Sequence, residues 1–211
     1  MKLQDSETWI LCGASSGLGK AFAELVSSRH PEIQVVFFSR RSDVTADFSR
    51  EADWPVVLER IETLRPTRLF YFAGGGPWGS YRDKKWSSHE WTYRVNFLFP
   101  AFLLSQLKVS SLKQMLFIGS SVAESAPDVG AASYAAAKHA LRGLVTTVQA
   151  ERSAGFDIRL LSPGYMDTPL LPAHAWPRQK AGLVQDPSAV AARALSWVQD
   201  VHSANGHLIL S

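Results

Sequence analysis

Thr8-Trp9-Ile10-Leu11-Cys12-Gly13-Ala14-Ser15-Ser16-Gly17-Leu18-Gly19-Lys20-Ala21-Phe22 opens on a short apolar run, turns through glycines and enters a helical pattern that extends to Ser28. The run 8–12 reads as a buried strand. A glycine-rich turn between a strand and a helix frees backbone N–H groups to face an anion at the positive end of the helix dipole. Gly13, Ser15, Ser16, Gly17, Leu18 and Gly19 therefore make a candidate pyrophosphate cradle.

Outward from this unit the same alternation repeats. Apolar runs at 34–38, 68–72, 114–118, 157–161 and 207–210 read as strands, and helical patterns at 54–64, 87–108, 133–151 and 188–201 fall between them. Several strands lack polar alternation, as parallel strands covered on both faces do. The order implies an α/β fold, a doubly wound parallel sheet of the Rossmann type with right-handed crossovers, in a single domain over residues 1–211. Asp186-Pro187 marks the start of the last helix, because Asp caps free N–H groups and Pro is tolerated at the first helical position.

In such sheets ligands sit at the carboxyl ends of the strands, where strand order reverses. The notable residues follow strands: the Gly13 turn, Arg40 and Arg41, Ala73-Gly74-Gly75-Gly76, Ser120-Ser121 and Pro163-Gly164. A second segment, Tyr134-Ala135-Ala136-Ala137-Lys138, places a phenol and an amine on one helix face, about 6 Å apart along the axis. An ammonium near a phenol favours the phenolate, which makes it a usable acid or base at neutral pH. Together the two segments point to redox chemistry at a carbonyl or alcohol.

Composition excludes several classes. Lys and Arg number 22 against 19 Asp and Glu, and the formal charge of +3 is scattered rather than gathered into a stripe, so no nucleic-acid partner is expected. The single cysteine, Cys12, forbids an internal disulfide and agrees with a reducing, cytoplasmic location. Residues 1–7 are polar and do not read as a secretory signal. The most apolar stretch, 95–104, is too short to span a bilayer and contains Asn96 and Pro100, so no membrane partner is expected. None of the six histidines has a metal-ligand spacing, and no metal is expected.

The order of Gly13/Gly17/Gly19, Asp47, Ala73-Gly74, Asn96, Ser121, Tyr134/Lys138 and Pro163-Gly164-Tyr165-Met166-Asp167-Thr168 resembles the short-chain dehydrogenases/reductases over nearly the whole chain. That resemblance implies catalytic roles. Tyr134 would protonate a carbonyl oxygen as hydride arrives from a nicotinamide, or act as base in reverse. Lys138 would lower the pKa of the phenol and bind the ribose. Ser121, thirteen residues before Tyr134, would hold the substrate oxygen, with Ser120 as the alternative. Asn96 would bend its helix and hold a water beside Lys138.

The resemblance also implies cofactor contacts. Ser39-Arg40-Arg41 stands where NAD-preferring relatives carry a carboxylate, and guanidinium forks suit a 2′-phosphate, so NADP(H) is the expected cofactor. Asp47 and Phe48 would lie at the adenine, Ala73, Gly74 and Gly75 along the dinucleotide, and Pro163, Gly164, Met166 and Thr168 beside the nicotinamide. Residues 170–183 would form a mobile substrate lid. Trp78, Tyr81, Trp86, Trp91, Tyr165 and Trp176 favour a bulky or aromatic carbonyl substrate.

Departures from the pattern are informative. Tyr71-Phe72 replaces the usual Asn-Asn, so packing must hold the sheet there, and the short stretch between Arg41 and Asp47 leaves little room for a helix. The chain ends after the last strand without a tail for tetramer contacts, which suggests a homodimer through helices 87–108 and 133–151. Sugar-nucleotide epimerases are disfavoured by length and glycine spacing. A non-catalytic NADP-binding sensor or scaffold would keep the fold, yet the retained Asn96, Ser121, Tyr134 and Lys138 argue for turnover.

Overall fold

The run Thr8–Cys12 forms β1, and its side chains alternate between two cores. Trp9 and Leu11 join Phe70, Leu116 and Phe22 on one face, while Ile10 and Cys12 join Tyr71, Phe117 and Phe99 on the other. The computed structural model describes residues 7–42, 44–125, 128–200 and 206–210. Residues 1–6 of the polar N-terminal stretch, and Val201, which the pattern gives to the last helix, lie outside them.

Six further strands pair with β1 in one parallel sheet: β2 (Gln34–Ser39), β3 (Val44–Thr45), β4 (Arg68–Tyr71), β5 (Gln114–Ile118), β6 (Asp157–Pro163) and β7 (His207–Leu210). Their order is β3-β2-β1-β4-β5-β6-β7, so the winding reverses between β1 and β4. Helices α1 (Gly17–Arg29) and α6 (Pro187–Gln199) cover one face. Helices α2 (Trp54–Leu64), α4 (Phe99–Gln106) and α5 (Ala132–Glu151) cover the other, with α3 (Trp86–Tyr93) leading into α4. This is the doubly wound α/β fold expected from the alternation. Asp186 caps α6 by accepting from the Ser188 N–H at 3.0 Å, and Pro187 is its first residue.

Three local features differ from the sequence reading. The stretch after Arg41 forms β3, whose two residues pair in parallel with Phe38 and Ser39. Parallel neighbours are ordinarily joined by a crossover of a dozen residues or more. Here the link is the tight turn around Ser42, whose hydroxyl donates to the Phe37 carbonyl at 2.9 Å, and the pairing stays short.

The expected helix 87–108 is interrupted by a π turn, Arg94–Leu98. Pro100 follows it; a proline has no N–H to give to the residue four positions earlier, Asn96, and its ring crowds that carbonyl. A wider turn relieves both problems. The loosened Val95 carbonyl is buried and accepts from the Tyr71 hydroxyl at 2.7 Å. Tyr71 thus does more than pack: beside its rings' contacts with Phe48 and Phe99, it supplies a hydrogen bond where an Asn pair was missing. Cys12 is a buried strand-end residue whose thiol burial pushes well above the ordinary range.

Candidate active site

The reversal between β1 and β4 opens a cleft of about 420 Å³ at the carboxyl ends of the strands. Its centre is the turn from Gly13 to Gly19. Gly13 has φ +81°, and a Cβ there would lie 2.4 Å from the Ala73 nitrogen. A Cβ on Gly19 would lie 2.8 Å from the Gly13 carbonyl oxygen. Only glycines let the start of α1 press onto the ends of β1 and β4 this closely. Ser16 precedes α1 in an extended conformation and makes no side-chain cap, and no acidic residue stands in the first turn. The N–H groups there remain open to an anion, so the chain's own atoms fit a dinucleotide pyrophosphate.

One end of the cleft is bounded by Arg40, Arg41, Asp47 and Phe48. Burial alone would raise the Asp47 carboxyl, but hydrogen bonds from the Ser49 hydroxyl and N–H, with the Arg40 and Arg50 guanidiniums, hold it below its usual range. Phe48 borders the cleft, yet its ring turns into the core, 4.7 Å from that of Phe99.

At the other end stand Ser120, Tyr134 and Lys138, against Pro163, Gly164, Met166 and Thr168. Lys138 is buried, donates from Nζ to the Ile118 carbonyl at 2.7 Å, and sits 5.3 Å from the Tyr134 ring centroid. Ala73 and Gly74 form the wall between the two ends. A Cβ on Gly74 would lie 2.9 Å from Asn96 Oδ1 and 3.6 Å from Lys138 Nζ, so both polar groups converge on one glycine.

Three candidate residues are placed differently from the sequence reading. Ser120, not Ser121, lines the cleft with Tyr134, and its hydroxyl favours the phenolate and lowers the phenol's pKa. Ser121 begins the 3-10 turn Ser121–Ala123, and Ser120 caps it; counting thirteen residues back from Tyr134 cannot see that turn. Gly75 does not line the cleft. Its N–H and carbonyl are taken by Asn96, at 3.3 Å to Oδ1 and 2.7 Å from Nδ2. Asn96 itself is fully buried behind the wall, and its Nδ2 also donates to the Thr92 carbonyl at 2.7 Å, across the π turn.

The electrostatics of the pair also differ. Burial pushes the Tyr134 phenol up to about 12, partly offset by the Ser120 hydroxyl, and pulls Lys138 down to about 7. Desolvation penalises both charged forms and overrides the mutual attraction expected from spacing alone. The phenol is therefore protonated through the neutral range and ready to donate.

The expected lid region 170–183 is anchored at Arg178. Arg178 donates to the carbonyls of Leu171 at 3.0 Å, Pro172 at 3.2 Å and Thr168 at 3.3 Å, and pairs with Asp167 at 2.6 Å. This fork fixes the segment beside the cleft, and no local pattern announced it. Of the aromatic residues, Trp78, Trp91 and Tyr165 line the cleft, whereas Tyr81 and Trp86 are exposed away from it.

A family described as short chain dehydrogenase matches residues 44–176, more than half of the chain. The chain belongs to the short-chain dehydrogenase family. It is therefore placed among oxidoreductases, and no curated protein matches it by sequence. Solved structures of similar fold include a short chain dehydrogenase from Burkholderia cenocepacia J2315 in complex with NADP, at 22% identity and TM-score 0.81, covering 98% of this chain and 96% of that one. A short chain dehydrogenase family protein from Francisella tularensis is 21% identical at TM-score 0.80, covering 97% and 96%. A 4-hydroxyisoleucine dehydrogenase complexed with NADH and succinate is 17% identical at TM-score 0.79, covering 96% and 97%. Among the described residues of this short-chain dehydrogenase, no helix is long and apolar enough to cross a membrane.

Proposed function

We propose that this short-chain dehydrogenase reduces a bulky carbonyl substrate with NADPH, or runs the reverse oxidation of the alcohol. The observation that carries the reading is the convergence of Ser120, Tyr134 and Lys138 at one end of a cleft whose middle is an uncapped helix start and whose far end carries two arginines. A reduced nicotinamide, when bound, supplies the hydride that a carbonyl carbon accepts. Tyr134 donates its hydroxyl proton to the carbonyl oxygen. Ser120 holds that oxygen and the phenol in one hydrogen-bonded group. Lys138 lines the cleft beside Gly74, where a ribose is needed, and Asn96 holds the backbone of Gly75 from behind the wall.

The related structures carry both forms of cofactor: the Burkholderia protein is in complex with NADP, and the 4-hydroxyisoleucine dehydrogenase with NADH. The preference of this chain rests instead on Arg40 and Arg41 at the cleft edge, with Ser39-Arg40-Arg41 offering no carboxylate at the end of β2. A guanidinium paired with a 2′-phosphate makes charge-assisted hydrogen bonds worth about 1.5–3 kcal/mol. Arg40→Ala is therefore expected to lower the ratio of kcat/KM for NADPH over NADH about tenfold or more. Steady-state kinetics with each cofactor reads this directly, and an unchanged ratio would leave Arg40 as a solvated loop charge.

A further inference from the structure

The substrate end of the cleft contains a carboxylate that the reduction itself does not use. Asp128 lines it together with Trp78, Trp91 and Tyr165. Its Oδ1 accepts from the Trp176 indole N–H at 2.9 Å, while its Oδ2 is buried and has no hydrogen-bond partner among the described residues. Trp176 meets the Tyr165 ring edge to face at 5.4 Å, so the carboxylate is held by a braced aromatic wall rather than a free loop. Resting on the reductase reading above, we propose that the substrate carries a protonated amine as well as its carbonyl, and that Asp128 Oδ2 receives the ammonium.

A desolvated carboxylate oxygen without a partner is costly, and the cost is lifted when a ligand brings the missing donor. An ammonium brings both N–H donors and the opposite charge, and the surrounding ring faces attract cations further. Trp176 already draws one: the Lys180 ammonium lies 5.0 Å from its ring centroid. The neighbouring Tyr165 phenol interacts with Asp128: burial, a hydrogen-bonding contact with the carboxylate and its charge push the phenol's pKa upward. It brings no positive charge, and Oδ2 has no donor in hydrogen-bond geometry among the described residues. A substrate bearing a carboxylate would instead meet like charge in a low-dielectric wall. In the reaction the carbonyl carbon gains the hydride of NADPH and the oxygen gains the Tyr134 proton. The products are an alcohol and NADP⁺, and the ammonium changes no bonds.

Three ketones of matched shape test this: β-dimethylaminopropiophenone, its neutral carbon isostere isocaprophenone, and β-benzoylpropionate. With NADPH, the wild-type chain is expected to favour the cationic ketone over the neutral one by about tenfold or more in kcat/KM, and to use the anionic one least. Asp128→Asn keeps the acceptor for Trp176 and should erase the preference, read as the ratio of kcat/KM for the cationic over the neutral ketone, without changing NADPH affinity. Equal use of the cationic and neutral ketones by wild type, or a preference that survives in Asp128→Asn, would overturn the proposal. If no ketone is reduced although NADPH binds, the reductase reading fails by itself. Calorimetric binding of β-dimethylaminopropiophenone to the NADP⁺-loaded protein then decides the site: a tenfold loss in Asp128→Asn supports it, and equal binding overturns it.

Discussion

Tyr134→Phe is expected to lower kcat for carbonyl reduction about a thousandfold while leaving NADPH affinity within about twofold, because a positioned general acid contributes some two to four orders of magnitude and the ring itself is kept. Equilibrium binding and single-turnover rates on the same preparation separate the two effects. The raised phenol pKa gives the pH dependence a definite sign. With the group at about 12, the protonated acid needed for reduction is present throughout the neutral range, whereas the phenolate needed for alcohol oxidation is scarce. In the free chain, oxidation should accelerate as pH rises toward the alkaline range and reduction should not. A Tyr134→Phe protein with undiminished turnover would remove the phenol from the mechanism.

The second large effect concerns the frame that holds the cradle. Gly13→Ala places a methyl group 2.4 Å from the Ala73 nitrogen and 2.5 Å from its Cα, at a residue whose φ is +81°. These neighbours are backbone at the ends of β1 and β4, so no side chain can swing aside. Left-handed strain costs about 1–3 kcal/mol and overpacking a similar amount, for a combined loss of about 3 kcal/mol or more. For a chain of this size that corresponds to a fall in Tm of about 6–12 °C. Weakened NADPH binding should accompany it, because the same turn presents the N–H groups. Thermal unfolding monitored by circular dichroism checks the loss; an unchanged Tm would mean that the two strand ends do not pack as described.

The fold was legible because its signals are local and repeated. Apolar runs such as Gln114–Ile118, buried at every position, announce parallel strands covered on both faces. The glycine turn was legible for the same reason, since close backbone approach admits almost nothing else. What escaped sequence reading depends on turns and on distant partners. Ser120 and Ser121 are neighbours with the same chemistry, and only the 3-10 turn after Ser120 decides which one meets Tyr134. Gly75 sits in the right run, but the Asn96 amide claims both of its backbone groups. Asp128 and Arg178 carry no motif at all, because their roles are defined by residues 48 positions away at Trp176 and up to eleven away at Asp167. The pKa of the Tyr134–Lys138 pair was misjudged because helical spacing reports proximity and not desolvation.

Initial rates of NADPH and NADH oxidation by the wild-type chain against bulky aromatic ketones, with equilibrium binding of each cofactor alongside, address the central claim directly. The expected result is ketone-dependent oxidation of NADPH, with NADH a markedly poorer donor and NADPH bound in the absence of ketone. Failure of the folded protein to bind either dinucleotide would contradict the account at its root, because the open helix start, the arginine edge and the Tyr134–Lys138 pair would then have no common ligand.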